Sequence, residues 1–439
     1  MKNLLKLAFC LLSIFSLQAQ DNFPVNGVSS KYEAVHAFVN AQIQVDPDTQ
    51  IDQGILLIKG DEIIAIGEGI SIPKNAIIHN VEGAYIYPSF IDVYTNYGLG
   101  DVEKSEWKPR PQLESNTTGA YSWNQALKPE YQAAQHFSPN KKVATQMRSN
   151  GFGTVLSFQK DGIARGTSCV VSLSDNRAQK VLIKENTSAH YSFKKGSSRQ
   201  SYPSSFMGSV ALLRQSIYDA LWANHNKDES NLSLNALHQN LKLKAIIEVD
   251  NRHAALTAEE LSKEFKMNFI IKGSGDEYQN VKELKKTGST FILPLNFPKA
   301  YDVSNAFLTL DLTLERMKHW EKAPANPAIL AAEEIKFAFT SADLKDSKDF
   351  IPNLRKALDY GLSKEDALHA LTTVPAKIIG LENSLGKLKK GMKANFVIWD
   401  YDLFEEDSKL LENWVQGEDY TVNQRVAYDN RGIYIIKID

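Results

Sequence analysis

Two polar side chains follow a mostly apolar segment of the chain, and their spacing places them on one face. Residues 90–93 are followed by Tyr94, Thr95 and Asn96. Side chains at positions i and i+2 of a β-strand point the same way, so we expect Tyr94 and Asn96 to point together. A phenol with a pKa near ~10 stays protonated at neutral pH, and a neutral amide is a poor metal ligand. The pair predicts a polar, uncharged rim.

The candidate functional residues share one property: each lies at or just beyond the end of an apolar run that we interpret as a β-strand. In α/β folds, ligands bind at the carboxyl ends of parallel strands, so these positions are expected to meet at one site. No catalytic role is assigned to any of them. The candidates are Tyr94, Asn96, Asp250, Asn251, Lys272 and Asp343.

Histidine and cysteine spacing gives no metal motif. None of the nine histidines has another at the i+2 or i+4 spacing of a metal-binding pair, and His253 is expected in a loop. Beyond Cys10, only Cys169 remains, which excludes an internal disulfide and a multi-cysteine zinc site. We expect Cys169 to be a buried strand residue. No metal and no cofactor are predicted, with zinc expected only if a non-standard site exists.

The middle of the chain alternates short apolar runs with amphipathic segments. This alternation predicts parallel strands joined by helices, but periodicity alone leaves an open sheet and a closed barrel both possible. Nearer the N-terminus, residues 54–58 and 62–67 flank a turn and predict a hairpin. The central elements are strands at 245–249, 268–272, 289–294 and 336–341 and helices at 258–265 and 278–286.

Three short stretches resemble the amidohydrolase superfamily, in particular its imidazolonepropionase-like, metal-dependent hydrolases. Residues 85–98 are similar to the family's first barrel strand, with Pro88 and Asp92 in place. Residues 361–377, in which Ser363 is predicted to cap a helix, and the turn at 385–391 are also similar. The resemblance implies a (β/α)8 TIM-type barrel with a composite β-sandwich domain. It also implies metal-binding histidines at positions 94 and 96, where this chain has Tyr94 and Asn96.

The domain prediction combines this resemblance with the pattern of apolar and polar residues along the chain. Residues 1–20 are typical of a cleaved signal peptide, because Lys2 and Lys6 precede a short apolar run and Ala19 suits cleavage. The protein is therefore expected to be secreted or periplasmic. Residues 32–83 and 384–439 are predicted to form the composite β-sandwich domain, and residues 84–383 the barrel.

Composition bounds the possible partners. The 439 residues are 43% apolar, which supports a sizeable core, and 50 basic against 52 acidic residues give a net charge of −2. This balance gives no reason to expect binding to nucleic acid or to a membrane surface after signal cleavage. We expect either a small-molecule ligand or a related, active amidohydrolase chain as partner.

Two functions remain open at this point. The resemblance implies hydrolysis of non-peptide carbon–nitrogen bonds, but the substituted ligands favour a pseudoenzyme that binds a ligand or a partner. The alternative is an active hydrolase on cyclic amides or dipeptides, with a non-standard metal site built from Asp250, Asp343, Asn96 and a histidine such as His190. Metal-free catalysis by a carboxylate pair is a third hypothesis.

Overall fold

The computed structural model describes residues 34–102, 111, 114–225, 229–310 and 312–424. Their secondary structure is mixed α/β. The predicted signal peptide and two C-terminal strands expected at 425–428 and 432–438 lie outside the described residues. The strands are β1 (Val35–Asp46), β2 (Thr49–Lys59), β3 (Glu62–Gly67), β4 (Ile77–Asn80), β5 (Tyr85–Pro88), β6 (Phe90–Thr95), β7 (Phe152–Ser157), β8 (Ala164–Thr167), β9 (Cys169–Ser172), β10 (Leu182–Lys184), β11 (Ser188–Ser192), β12 (Lys244–Glu248), β13 (Phe269–Lys272), β14 (Phe291–Pro294), β15 (Phe337–Thr340), β16 (Phe396–Trp399), β17 (Leu410–Val415) and β18 (Glu418–Thr421).

The first and last parts of the described chain share one sheet. Its eight strands run in the order β18-β17-β16-β5-β1-β2-β3, with β4 paired to β1. The predicted hairpin is confirmed, since β2 and β3 pair antiparallel. Phe38, Ile86 and Phe396 are buried on this sheet, and the Trp414 ring stacks on Phe396. This pairing explains how two distant segments come together, while the limits of a composite domain stay a prediction.

Two further sheets carry the middle of the chain. One has the order β10-β9-β7-β6 and the other β15-β14-β13-β12-β11-β8. Strands β11 to β15 are parallel, and for the predicted strands β12 to β15 this confirms the prediction from the alternation. The edge strand β15 lies beside the edge strand β6, where Thr340 Oγ1 donates a hydrogen bond of 2.7 Å to Asp92 Oδ1. The carboxyl ends of β6, β12, β13 and β15 therefore face one region.

The helices surround these strands. The α-helices are α1 (Ala133–His136), α2 (Lys141–Arg148), α3 (Ala178–Val181), α4 (Phe206–Ala223), α5 (Leu232–Asn240), α6 (Arg252–Phe265), α7 (Val281–Lys285), α8 (Ala306–Thr309), α9 (Leu314–Lys322), α10 (Asn326–Ala332), α11 (Phe350–Asp359), α12 (Lys364–Leu368) and α13 (Val374–Ile379). Short 3-10 helices span Glu277–Asn280, Ala323–Ala325 and Ser347–Asp349, and a π-helix spans His369–Thr373. None of the helices described here is both long and apolar enough to cross a membrane.

Local capping explains where two helices begin. The expected cap at Ser363 is confirmed, because its side chain accepts a hydrogen bond from the Asp366 backbone N–H. Helix α6 begins at Arg252, six residues before the expected start at 258, because the Asn251 side chain caps it. The expectation that His253 lies in a loop is therefore wrong: it lies in the first turn of α6.

Candidate functional site: a network of charged side chains at the strand ends

Tyr94, Arg165, Lys194 and Glu248 form one hydrogen-bonded cluster, called here the Glu248 network. The Tyr94 hydroxyl donates to Glu248 Oε2 at 2.6 Å, and Arg165 Nη1 donates to the same oxygen at 2.6 Å. Arg165 Nη1 also donates to the Tyr94 hydroxyl oxygen at 3.0 Å. Lys194 Nζ donates to Glu248 Oε1 at 3.1 Å. Both carboxylate oxygens of Glu248 are thus occupied by protein donors.

The network fixes the protonation states of its members. Burial alone would raise the pKa of the Glu248 carboxyl, but Arg165, the Tyr94 hydrogen bond and Lys194 outweigh burial and hold this pKa well below its ordinary value. Burial raises the pKa of the Tyr94 phenol well above its ordinary value, despite Arg165. Glu248 is therefore an anion at neutral pH and Tyr94 is a neutral phenol, which cannot act as a phenolate ligand.

A second ion pair lies beside the network. Lys272, the last residue of β13, is buried and pairs with the Asp343 carboxylate. Asp343 adopts a left-handed backbone conformation, with φ of 66°. Lys272 Nζ lies 5.6 Å from the centre of the Tyr94 ring, and Lys160 Nζ lies 4.6 Å from it. The Tyr94 ring thus has two ammonium groups as neighbours, an arrangement stabilised by cation–π attraction.

The Asp92 carboxylate connects strand β6 to the end of strand β15. Besides Thr340, it accepts hydrogen bonds at Oδ2 from the Ser341 backbone N–H at 2.8 Å and the Ser341 hydroxyl at 2.6 Å. The Tyr94 backbone N–H donates to Oδ1 at 3.0 Å. Asp92 is fully buried. Its two oxygens are therefore occupied in tying β6 to the end of β15.

His190 is held away from solvent. It lies in β11, its ring stacks on Phe158 with 3.6 Å between centroids, and its Nε2 lies 3.0 Å from the Ser188 hydroxyl. Burial, together with Arg165 and Lys160, lowers the pKa of the His190 imidazole well below its ordinary value. His190 is therefore a neutral, packed side chain.

The structure places four of the sequence candidates in or beside the network and one in a cavity next to it. Tyr94 is a member, Lys272 lies over its ring, and Asp250 forms a 2.5 Å ion pair with Lys194. Asp343 joins through Lys272. Asn96 lines the two cavities described below.

Asn251 has a different place. Its side-chain oxygen accepts hydrogen bonds from the backbone N–H groups of His253 and Ala254, each at 3.0 Å. These bonds begin α6, which accounts for the side chain without any role in a site.

Sequence reasoning missed Glu248, Arg165, Lys194 and Lys160. A usable signal was present for two of them. Glu248 ends the otherwise apolar run 245–248 after Lys244, and Arg165 stands in a stretch of small and apolar residues. A charged residue in a buried strand needs a partner of opposite charge. The pairing itself joins residues 83 positions apart, which no local pattern reveals.

Two cavities open next to this cluster. The first, of about 660 Å³, is lined by the segment from Tyr94 to Asp101 and by part of α2. The second, of about 600 Å³, lies along Gln159 and Ser197. They share Asn96, Asp101 and Lys160. Their volumes suit a small organic ligand.

The donor set does not fit a divalent metal ion. Within the described ranges, no group of three or more His, Cys, Asp or Glu side chains is placed to hold one. The carboxylates of the Glu248 network and of the ion pair beside it already have protein partners: Glu248 with Arg165 and Lys194, and Asp343 with Lys272. A neutral phenol and buried ammonium groups stand where nitrogen or carboxylate ligands would be needed.

Comparison with known proteins shows what part of the chain is similar to a known family. Residues 246–430 match the model of the amidohydrolase family. The fold is similar to that of an amidohydrolase from Thermotoga maritima MSB8, with a TM-score of 0.70 and 20% identity over 89% of this chain and 100% of that one. The resemblance to the amidohydrolase superfamily seen in the sequence is thus confirmed for residues 246–430.

Two further proteins are similar to this chain in fold or over a short segment. A prolidase complexed with N-methylphosphonate-L-proline matches with a TM-score of 0.52 and 14% identity over 88% of this chain and 100% of that chain. The amidohydrolase tasK of Hapsidospora irregularis is 37% identical over 62 residues, which is 14% of this chain and 6% of that protein. The match thus spans a small part of tasK. The fold of these neighbours is of the TIM-barrel type. Proteins of this family normally depend on a metal, whereas the donor set of this chain does not fit one.

Proposed function

We propose that this chain is a non-catalytic member of the amidohydrolase superfamily, which binds a small molecule at the strand ends and no longer uses a metal. One observation carries the proposal: Arg165 and Lys272 hold the carboxylates Glu248 and Asp343 that stand at the ends of β12 and beyond β15. The positive side chains of Arg165 and Lys272 thus pair with carboxylates that would otherwise be free to bind a cation.

Charge balance supports this proposal. The ammonium and guanidinium groups of the cluster are matched by an equal number of carboxylates. A divalent ion would therefore leave two uncompensated positive charges in a partly desolvated region. At ~5 Å and an effective dielectric constant of ~20, its repulsion from a single ammonium group amounts to roughly 7 kcal/mol. The cations are Lys160, Arg165, Lys194 and Lys272, and the carboxylates are Asp92, Glu248, Asp250 and Asp343.

Family membership supports carbon–nitrogen bond hydrolysis as the activity to test against this proposal. The purified chain is assayed with added Zn²⁺ or Mn²⁺ on a panel of cyclic amides and dipeptides, and again after a chelator. We expect no hydrolysis that depends on added metal. Metal-dependent hydrolysis would instead favour an active enzyme with a non-standard site. Glu248→Gln and Asp343→Asn are the matched variants, because turnover by a contaminating hydrolase would not change with them.

The binding half of the proposal has its own measurement. A panel of small molecules is screened by the shift in unfolding temperature, and a pull-down from the periplasmic or secreted fraction tests for a related amidohydrolase chain. We propose a secreted or periplasmic location on the strength of the N-terminal segment alone. A screen without any ligand, together with a pull-down without any partner, would contradict the proposal.

A further inference from the structure

Lys160 stands at the strand ends without a charged partner among the residues that the structure describes. It follows β7, and within the described chain its ammonium group makes no hydrogen bond and no salt bridge. Its nitrogen lies 4.6 Å from the centre of the Tyr94 ring. Burial lowers the pKa of the Lys160 ammonium, and the carboxylates of Asp92 and Asp343 only partly offset this effect. The Lys160 ammonium group is thus partly removed from water, and no described residue replaces that water as a hydrogen-bond partner.

Three neighbouring carboxylates already accept hydrogen bonds from other donors, and none of them makes a described hydrogen bond with Lys160. Asp92 accepts from Thr340 and Ser341, Asp343 pairs with Lys272, and Glu248 is surrounded by its network. A buried or half-buried ammonium group is stabilised by an acceptor of negative charge. Asp101 lines the same cavities, but no hydrogen bond or salt bridge joins it to Lys160 among the described residues, so a bound ligand can supply the missing acceptor.

A second unpaired donor lies on the same cavity surface. Asn96 follows β6, and its side-chain amide has no hydrogen-bond partner among the residues the structure describes. Asn96 and Lys160 both line the 660 Å³ cavity and the 600 Å³ cavity, so they stand at the junction of the two. An ammonium group and an amide N–H together match the two oxygens of one carboxylate.

The first cavity also has an apolar wall. Leu99, Met147 and Phe152 line it on the side of α2. Asp101 lines both cavities and adds one negative charge near the junction. This charge disfavours a dianion such as a phosphate more than it disfavours a monocarboxylate.

We propose that Lys160 and Asn96 bind the carboxylate of a small organic acid whose apolar body lies against Leu99, Met147 and Phe152. This inference rests on the proposed ligand-binding function and names the chemical class of the ligand. It assigns to Lys160 and Asn96 a recognition role that does not involve metal or hydrolysis.

The test compares probes that share one apolar body. The full chain is titrated with 3-phenylpropionate, 3-phenylpropanol and 3-phenylpropyl phosphate, and dissociation constants are measured by ligand-observed NMR or calorimetry. We expect 3-phenylpropionate to bind at least about tenfold more tightly than the alcohol, as a charge-assisted hydrogen bond provides. The phosphate is expected to bind more weakly than the carboxylate because of Asp101.

Variants identify the residues involved. Lys160→Met should weaken 3-phenylpropionate binding at least about tenfold, Lys160→Arg should retain part of it, and Asp101→Asn should strengthen it. Lys286→Met, at an exposed lysine after α7, is the matched control and should change nothing. Equal binding of acid and alcohol, or an unchanged dissociation constant in Lys160→Met, would overturn the inference.

The two proposals fail in different ways. Metal-dependent hydrolysis of an amide would remove the non-catalytic function, whatever the probes do. Failure of 3-phenylpropionate to bind, in a chain without hydrolase activity that still binds another class of compound, removes only the carboxylate inference.

Discussion

The Arg165–Glu248 pair gives the sharpest prediction about what stabilises the site. The two side chains are 4% and 15% exposed, and Arg165 Nη1 lies 2.6 Å from Glu248 Oε2. Arg165→Met removes this bond, the bond to Tyr94 and a 3.0 Å bond to the Gly162 carbonyl oxygen. Glu248 then remains charged with only Tyr94 and Lys194 as partners. Removing one partner of a buried pair costs about 3–5 kcal/mol.

The expected magnitude lies near the lower end of that range. Lys194 still contacts Glu248 Oε1, and Glu248 is not fully buried. We therefore expect Arg165→Met to lower the free energy of unfolding by about 3 kcal/mol. The double variant Arg165→Met, Glu248→Leu should lose less than the sum of the two single variants, by about 1–3 kcal/mol, because no buried charge is left alone.

Urea unfolding at pH 7, followed by tryptophan fluorescence and far-UV circular dichroism, measures these differences. Arg214→Met is the matched control, because Arg214 Nε pairs with Glu264 at 2.8 Å but is 44% exposed. An exposed pair contributes below about 1 kcal/mol. The reasoning is refuted if Arg165→Met costs no more than Arg214→Met, or if the Arg165 and Glu248 substitutions are additive.

Three further predictions follow from single residues. The folded-state pKa of Glu248 is depressed, so its contribution to stability is present above the unfolded pKa of ~4.3 and is lost as the pH falls below that value. Wild type should therefore lose more stability than Glu248→Gln between pH 6 and pH 3. Equal losses would contradict this prediction. Burial raises the pKa of the Cys169 thiol to about 12. A disulfide reagent at pH 8 should therefore label this thiol only as fast as the chain unfolds. Rapid labelling of the folded protein would show that Cys169 is not buried. Asn251→Ala removes the α6 cap formed with the His253 and Ala254 backbone and should lower the free energy of unfolding in urea by about 1 kcal/mol. Lys286→Met is the control because Lys286 is exposed, whereas Asn240→Ala is unsuitable because Asn240 is buried.

The sequence predicted what depends on local pattern. Residues 90–96 were interpreted as a strand that presents Tyr94 at the site, and Ser363 as a helix cap, because side-chain alternation and capping are determined within a few residues. The parallel pairing of β12 to β15 follows from helix–strand alternation.

What remained hidden depends on tertiary pairing. Lys272 was ambiguous because a lysine at a strand end looks the same whether it is exposed or, as here, buried against Asp343. Arg165 and Glu248 meet only once β8 and β12 are placed on either side of β11. Lys160 became informative through the cavities around it, which no spacing along the chain describes.

Elemental analysis of the protein tests the central claim most directly. The chain is purified without chelators from cells supplied with zinc and manganese, and its metal content is measured by mass spectrometry alongside Lys272→Met. The account predicts no stoichiometric transition metal in the wild type, because Arg165 and Lys272 hold Glu248 and Asp343. One tightly bound metal ion per chain in the wild type, lost on Glu248→Gln or Asp343→Asn substitution, would contradict it.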